Sequence, residues 1–189
     1  MNTHFIQERP MTNCCQFSIE DSESVIALYH SVFSKAEGEA EGKAIAELVD
    51  QLIKVDNTND VMGFVAKEDD FIIGAIFFSR LTFEEGYNAF LLSPVAVSND
   101  HQRKGIGQSL IRFGIESLKN MGVDLLFTYG DPNYYSQVGY KPITEDLIKA
   151  PQPLSRPIGW LCQSLTSNDI PVVQSKPTCV AAFDRPELW

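Results

Sequence analysis

The chain has 189 residues, of which 44% are hydrophobic and 21% charged, so it can bury one well-packed core without a second domain. Its formal net charge of −10 makes it a poor general ligand for nucleic acid or for an anionic membrane surface. The four cysteines include no Cys-x-x-Cys pair, and no segment approaches the roughly 18 apolar residues of a membrane span. We therefore predict a cytoplasmic protein with free thiols, no metal site and no membrane partner.

The first third of the chain predicts a short strand and two helices. Residues 1–13 are expected to form a flexible lead-in, and residues 14–19 a strand. Ser22 suits the N-cap of a helix that runs to about Phe33. A second helix is predicted from about Glu39 to Lys54. The lone histidine of the first helix, His30, is interpreted as a surface or core residue rather than a ligand.

Three strand-like runs follow, at residues 61–67, 71–83 and 87–97, and the short turns between them predict an antiparallel meander. A helix to Asn120, stopped by Gly122, and a strand at residues 125–129 then predict a parallel crossover. A short helix ended by Gly139 and two tail strands, at residues 159–165 and 178–183, complete a mixed α/β (α+β) sheet with helices on both faces.

The turn between residue 97 and the crossover helix is a candidate anion site. Gly105 and Gly107 open the helix, whose first backbone N–H groups lack partners within it and carry the positive end of its dipole. Arg103 and Lys104 add positive charge there. The alternative is a turn that needs glycine for its geometry alone. The Walker loop and the three-glycine dinucleotide fingerprint are both absent.

Two motifs resemble the GCN5-related N-acetyltransferase (GNAT) superfamily. Gln102, Gly105 and Gly107 match its acetyl-CoA motif, Gln/Arg-x-x-Gly-x-Gly/Ala, directly after a strand. Tyr135 precedes the pair Gly139-Tyr140 by four residues, as a tyrosine often does in this family. The run at residues 130–135 resembles more narrowly the predicted acetyltransferases of the YhbS-like branch. The resemblance covers residues 14–148 well and the tail only loosely.

The resemblance implies a sheet of six or seven strands, whose fourth and fifth strands splay apart to admit acetyl-CoA. It implies a single acetyl-CoA-binding acyltransferase domain over residues 14–189, with a core at 14–148 and C-terminal strands at 149–189. The pyrophosphate is expected on the loop and the pantetheine arm on the strand edge, where Pro94 cannot donate a ladder hydrogen bond. The expected cofactor residues are Val95, Ala96, Val97, Gln102, Arg103, Lys104, Gly105, Ile106 and Gly107.

The chemistry implied is transfer of an acetyl group to a primary amine of a small molecule or peptide. A backbone N–H of Val95 or Ala96 would polarise the thioester carbonyl, and Tyr135 is the candidate general acid. Tyr134 is assigned to packing. No general base is identified, because residues 87–97 contain no acid and Glu84 and Glu85 are interpreted as solvated charges.

The acceptor and the oligomeric state stay open. The acidic stretch at residues 37–41 is a slight hint of a cationic acceptor, and Asp131-Pro132 is interpreted as a helix cap. A homodimer joined through sheet edges is compatible with the sequence. The alternative functions are a non-catalytic acyl-CoA-binding sensor or interaction module, and an enzyme that uses longer acyl chains or hydrolyses thioesters.

Overall fold

The computed structural model describes residues 12–55 and 59–189. Its helices are α1 (Ser22–Glu37), α2 (Glu39–Ile53), α3 (Ile106–Asn120) and the single turn α4 (Pro132–Tyr135). Its strands are β1 (Asn13–Gln16), β2 (Val61–Glu68), β3 (Phe71–Thr82), β4 (Asn88–Val97), β5 (Leu125–Tyr129), β6 (Lys141–Pro142), β7 (Trp160–Ser164) and β8 (Thr178–Cys179). Most of the predicted lead-in lies outside the described residues, but Asn13 already belongs to β1.

The strands form one sheet in the order β1-β2-β3-β4-β5-β7-β6. Strand β8 pairs with Leu81 and Thr82 of β3, beyond the part of β3 that pairs with β2. The pairs β1–β2, β2–β3 and β3–β4 are antiparallel, and β4–β5 is parallel, which confirms the predicted meander and crossover. The described residues thus contain eight strands rather than six or seven. The two additional pairings come from β6 and β8, which are two residues long and carry no periodic pattern.

Apolar side chains fill a core on each face of the sheet. Helices α1 and α2 and the C-terminal tail cover one face, and α3 covers the other. Alternate residues of β4 supply both cores: Ala89 and Leu91 face α1 and α2, while Phe90 and Leu92 face α3. This double burial explains why the middle strands read as nearly continuous apolar runs.

The helix ends follow their sequence signals except in α1, whose start and end both differ from the prediction. At the end of α3, Gly122 has a φ of 73°, and the Val123 and Gly122 amides donate to the carbonyls of Leu118 and Lys119 in a Schellman motif. The predicted cap Ser22 is instead the first residue of α1, because a 3-10 turn over Ile19–Asp21 precedes it and makes Asp21 the cap. Helix α1 also continues past Phe33 to Glu37.

Candidate active site

The strands β4 and β5 are paired along only part of their length. The parallel register joins Ala89–Leu92 to Leu125–Thr128, and beyond Leu92 strand β4 pairs only with β3. In the register with β3, Ile76 lies opposite Val95 and Phe78 lies opposite Leu92. The one residue between them on β3 therefore faces two residues of β4, Ser93 and Pro94, which form a β-bulge. The predicted break in pairing at Pro94 is therefore confirmed, and a gap opens between the two strands.

The far half of β4 presents backbone groups to this gap. The Ser98 N–H donates to the Ile73 carbonyl, so Ser98 and Ala96 face β3, and Val95 and Val97 direct their N–H and C=O groups to the opposite edge. Ala96 is paired with Ala75 and buried. Of the three strand residues predicted to bind cofactor, Val95 and Val97 face the gap and Ala96 does not.

The loop between β4 and α3 has a backbone conformation that leaves the first N–H groups of α3 uncapped by any side chain. Arg103 and Gly105 both have left-handed backbones, with φ of 60° and 80°. Gly105 is the N-cap of α3 and offers no side chain to the first amides, so these N–H groups are available to a ligand. A Cβ added to Gly105 would meet nothing within 4 Å, so glycine is required here by the backbone angle.

Gly107 is required for a different reason, the close approach of a tyrosine. A Cβ at Gly107 would lie 2.4 Å from the hydroxyl oxygen of Tyr134 and 3.3 Å from a methyl carbon of Val97. Tyr134 is half-buried, and burial raises the pKa of its phenol while Arg112 lowers it. The sequence predicts a packing role for Tyr134, and the structure places its hydroxyl against the predicted phosphate loop at Gly107.

A cavity of about 500 Å³, here called the main cleft, connects the open edge of β4, the loop, the start of α3 and α4. Of the predicted residues, it brings together Val95, Val97, Gln102, Arg103, Gly105, Ile106, Gly107 and Tyr135. Lys104, which is exposed, and Ala96 are not in its lining. The remaining lining residues, which sequence reasoning missed, are Val32, His101, Gln108 and Tyr134.

Tyr135 stands at the point where β4 and β5 separate. Its hydroxyl lies beside Thr128, whose own hydroxyl donates to the Leu92 carbonyl at 3.0 Å, and Leu92 and Thr128 are the last paired row. Its ring packs on Gly130, where a Cβ would lie 2.6 Å from a ring carbon. Burial raises the pKa of Tyr135 to about 12, against a smaller lowering by Thr128. The phenol is thus a neutral proton donor.

The short helix that carries Tyr135 begins as predicted. Asp131 is its N-cap, and its Oδ1 accepts hydrogen bonds from the Asn133 amide at 2.9 Å and from the Asn133 side chain at 3.1 Å. Pro132 occupies the first helical position, where a missing N–H costs nothing. Gly139, with a φ of 102°, ends the following 3-10 turn.

His101, which is not among the predicted site residues, holds the loop in place through two hydrogen bonds of its ring. His101 Nδ1 lies 2.8 Å from Ser98 Oγ, and His101 Nε2 lies 2.7 Å from a carboxylate oxygen of Glu68. Because an ionised carboxylate can only accept, Nε2 carries the hydrogen of this pair. The histidine ties the loop to the β2–β3 hairpin, 33 residues away in sequence. Only its position next to Gln102 could have indicated it.

No carboxylate lies in the described lining of the main cleft. Glu85, interpreted as a solvated charge, is exposed but accepts hydrogen bonds from the tail: from the amides of Gln174 and Ser175 and from the Ser175 hydroxyl. These bonds lower the pKa of Glu85. His30 is half-exposed and lies 3.2 Å from Glu39. Neither residue faces the cleft.

Comparison with known sequences decides the family. A sequence model described as an acetyltransferase (GNAT) domain matches residues 59–142. A 128-residue stretch is 33% identical to the Escherichia coli K-12 protein YjhQ, named an uncharacterized N-acetyltransferase, and covers 65% of this chain and 71% of YjhQ. The chain belongs to the GNAT family of N-acetyltransferases. The E. coli K-12 N-acetyltransferase YhbS is a further relative of this acetyltransferase, 28% identical over 123 residues, which cover 64% of this chain and 68% of YhbS.

Solved structures share the fold of this acetyltransferase. The crystal structure of E. coli YhbS in complex with CoA superposes with a TM-score of 0.81 over 96% of this chain and 97% of that one, at 22% identity. A GNAT acetyltransferase from Brucella melitensis in complex with acetyl-CoA gives a TM-score of 0.73 over 93% and 100% of the two chains, at 24% identity. The predicted GNAT fold is confirmed.

Neither a metal-binding cluster nor a membrane-spanning helix is found among the described residues. Within residues 12–55 and 59–189, no cluster of histidine, cysteine and carboxylate side chains is arranged to hold a metal ion. In the same ranges, no helix combines the length and apolarity needed to cross a bilayer.

Proposed function

We propose that this acetyltransferase transfers the acetyl group of acetyl-CoA to a primary amine of a small molecule or peptide, by direct attack in a ternary complex. The observation that carries the proposal is the continuity of the main cleft. It runs from the uncapped amides at Gly105 and Gly107, along the open edge of β4, to the phenol of Tyr135. The solved relatives that share the fold, with CoA in one and acetyl-CoA in the other, support this choice of ligand.

Each part of acetyl-CoA meets a matching group in this arrangement. The pyrophosphate binds the amides at the start of α3, where the helix dipole and the side chain of Arg103 favour an anion. The pantetheine arm pairs with the outward N–H and C=O groups of Val95 and Val97, as an added strand would. The Val95 N–H, which faces the gap, polarises the thioester carbonyl, and Ala96, which faces β3, does not.

The reaction is balanced by two proton movements. The nitrogen of a neutral amine attacks the thioester carbon, the C–S bond breaks, and the proton of the attacking nitrogen leaves to water. The departing thiolate takes the phenolic proton of Tyr135, which is later restored from solvent. A phenol pKa of about 12 makes this donation uphill toward a free thiol of pKa about 8.5, but burial of the thiolate at the same place raises its pKa as well.

A titration with acetyl-CoA tests the proposal, followed by an assay of CoA release with a panel of amines. Saturable binding and amine-dependent release are expected. No heat with CoA or acetyl-CoA at millimolar concentration would refute both ligand and reaction. Saturable binding without release across the panel would instead favour a non-catalytic acyl-CoA-binding module.

Neighbouring cations of the loop provide a matched pair of variants for this titration. Arg103 lines the main cleft and Lys104 does not. Arg103→Gln should raise the Kd for acetyl-CoA about tenfold, because it removes a charge from the phosphate site. Lys104→Gln removes the same charge outside the cleft and should change the Kd less than about threefold. Equal effects of the two variants would contradict the assignment of the loop.

A further inference from the structure

A second cavity, of about 390 Å³ and here called the side pocket, opens at the carboxyl end of β5. It adjoins the main cleft, because the ring of Tyr135, which lines that cleft, packs against Gly130 of the side pocket. Tyr129, also in its lining, packs in the core on the α1 and α2 side of the sheet, whereas Tyr135 packs on the α3 side.

The walls of the side pocket are held in place by hydrogen bonds. The Gly130 amide donates to the Gly159 carbonyl at 2.9 Å, which joins the end of β5 to the segment before β7. The Tyr129 hydroxyl accepts from the Arg156 amide at 2.6 Å and lies 3.0 Å from Ser155 Oγ. The backbone that carries Arg156 is thus fixed beside the pocket.

The chemistry of the lining combines one cation, one anion and an apolar surface. The guanidinium of Arg156 is exposed and forms no hydrogen bond or ion pair within the described residues. Asp131 uses Oδ1 for its helix cap, and its other oxygen accepts no hydrogen bond from any described residue. Ile158, 74% exposed, supplies the apolar surface.

We propose that the side pocket holds the acceptor and selects small amines that also carry a carboxylate and an apolar substituent. Arg156 binds the carboxylate through its planar pair of donors, which matches that group in geometry as well as charge. Asp131 holds the amino group, and Ile158 contacts the apolar substituent. The amine then lies beside Gly130, next to the gap through which the thioester is reached. This inference rests on the proposed acetyl transfer and adds its substrate class.

Paired acceptors test the selection. Each α-amino acid with an apolar side chain, such as leucine or phenylalanine, is compared with the amine that lacks its carboxylate, isopentylamine or phenethylamine. In the wild-type protein kcat/KM should be at least about tenfold higher for the amino acid. Arg156→Gln should raise KM for the amino acid about tenfold, and leave KM for acetyl-CoA and for the decarboxylated amine unchanged. Lys149→Gln, at an exposed lysine outside both cavities, is the control of equal charge change.

Binding to the CoA-saturated protein, measured by calorimetry, provides a readout that does not need turnover. Amino acid binding that weakens in Arg156→Gln and not in Lys149→Gln supports the assignment. The inference is overturned if the wild type binds no amino acid, if the decarboxylated amines react equally well, or if Arg156→Gln leaves the preference intact. Any of these can occur while acetyl-CoA still binds, so this failure is distinct from failure of the proposed acetyl transfer.

Discussion

Tyr134, Tyr135 and Tyr140 are close in sequence, but their hydroxyl groups lie in three different environments. The hydroxyl of Tyr135 reaches Thr128 at the head of the gap, and that of Tyr134 lies against Gly107. The hydroxyl of Tyr140 is fully buried and has no hydrogen-bond partner among the described residues. A buried hydroxyl without a partner costs about 1–3 kcal/mol. Tyr140 therefore destabilises the fold at a place where phenylalanine would serve.

Replacing Tyr135 or Tyr140 by phenylalanine distinguishes a role of the hydroxyl group in the reaction from a role of the ring in packing. Tyr135→Phe removes the proton donor but keeps the ring on Gly130, so kcat should fall at least about 100-fold with little change in the Kd for acetyl-CoA. Tyr140→Phe is the matched control, with turnover unchanged and stability to urea raised by about 1 kcal/mol. Unchanged turnover in Tyr135→Phe would remove this phenol from the mechanism.

At the residue scale, spacing along the chain predicts groups that the structure brings together in one cleft. The four-residue interval before Gly139 pointed to Tyr135, which lines the main cleft, and the loop motif pointed to five of the seven lining residues between positions 101 and 108, missing His101 and Gln108. His101 could not be found, because its partner Glu68 belongs to a distant hairpin. Ala96 was predicted together with its neighbours, but the register turns its backbone groups toward β3, and sequence alone does not fix that register.

At the scale of elements, the helices and the longer strands were predicted within a few residues, and the two-residue strands were not. The bounds of β5 agree with the predicted strand, and those of α2 differ by one residue. The predicted tail strand at residues 178–183 shortens to β8, and a 3-10 turn over Ala181–Phe183 replaces its remainder. Such short pieces are fixed by tertiary hydrogen bonds. In this tail they include those from Gln174 and Ser175 to Glu85.

The tail contact of Glu85 predicts a pH dependence of stability. Because hydrogen bonds lower the pKa of Glu85 in the folded protein, its contribution is complete above the unfolded pKa of about 4.3 and is lost as pH falls through the folded value. Glu85→Gln should thus be less stable to urea than the wild type at neutral pH, and the difference should shrink below about pH 4. Glu84→Gln is the control, because Glu84 contacts Ser175 only through its backbone amide and its side chain accepts no hydrogen bond from the described residues. A difference that stays constant with pH would refute the argument.

At the scale of the whole molecule, the tail joins two halves of an incompletely paired sheet. Strands β1–β4 form one half and β5–β7 the other, and the direct pairing between them is the four-row segment of β4 and β5. The tail leaves the second half at β7 and reaches β3 through β8. It then returns to the second half, where Trp189 stacks on Tyr129 at 6.1 Å and packs edge-on against Trp160 at 6.0 Å.

The final residue of the chain is therefore predicted to matter for stability. Trp189 is 5% exposed, and its indole N–H donates to the Phe183 carbonyl at 3.0 Å. Trp189→Ala should lower the free energy of unfolding by about 3–5 kcal/mol, because it leaves a cavity between two aromatic rings. Urea denaturation measures this change, and Glu187→Ala, at an exposed neighbour, should have no measurable effect. A loss below about 1 kcal/mol in Trp189→Ala would show that the tail does not hold the halves together.

The double crossing of the tail has a consequence for the size of acyl group that can be admitted. Because the tail contacts both halves, through β8 on β3 and through Trp189 on Tyr129, we expect it to limit how far they can separate. An insertion between β7 and β8 should allow the two halves to separate further, and it would change no residue that lines the main cleft. We predict that, under the proposed acyl transfer, such an insertion would widen the range of acyl chains accepted while leaving the residues of the main cleft unchanged.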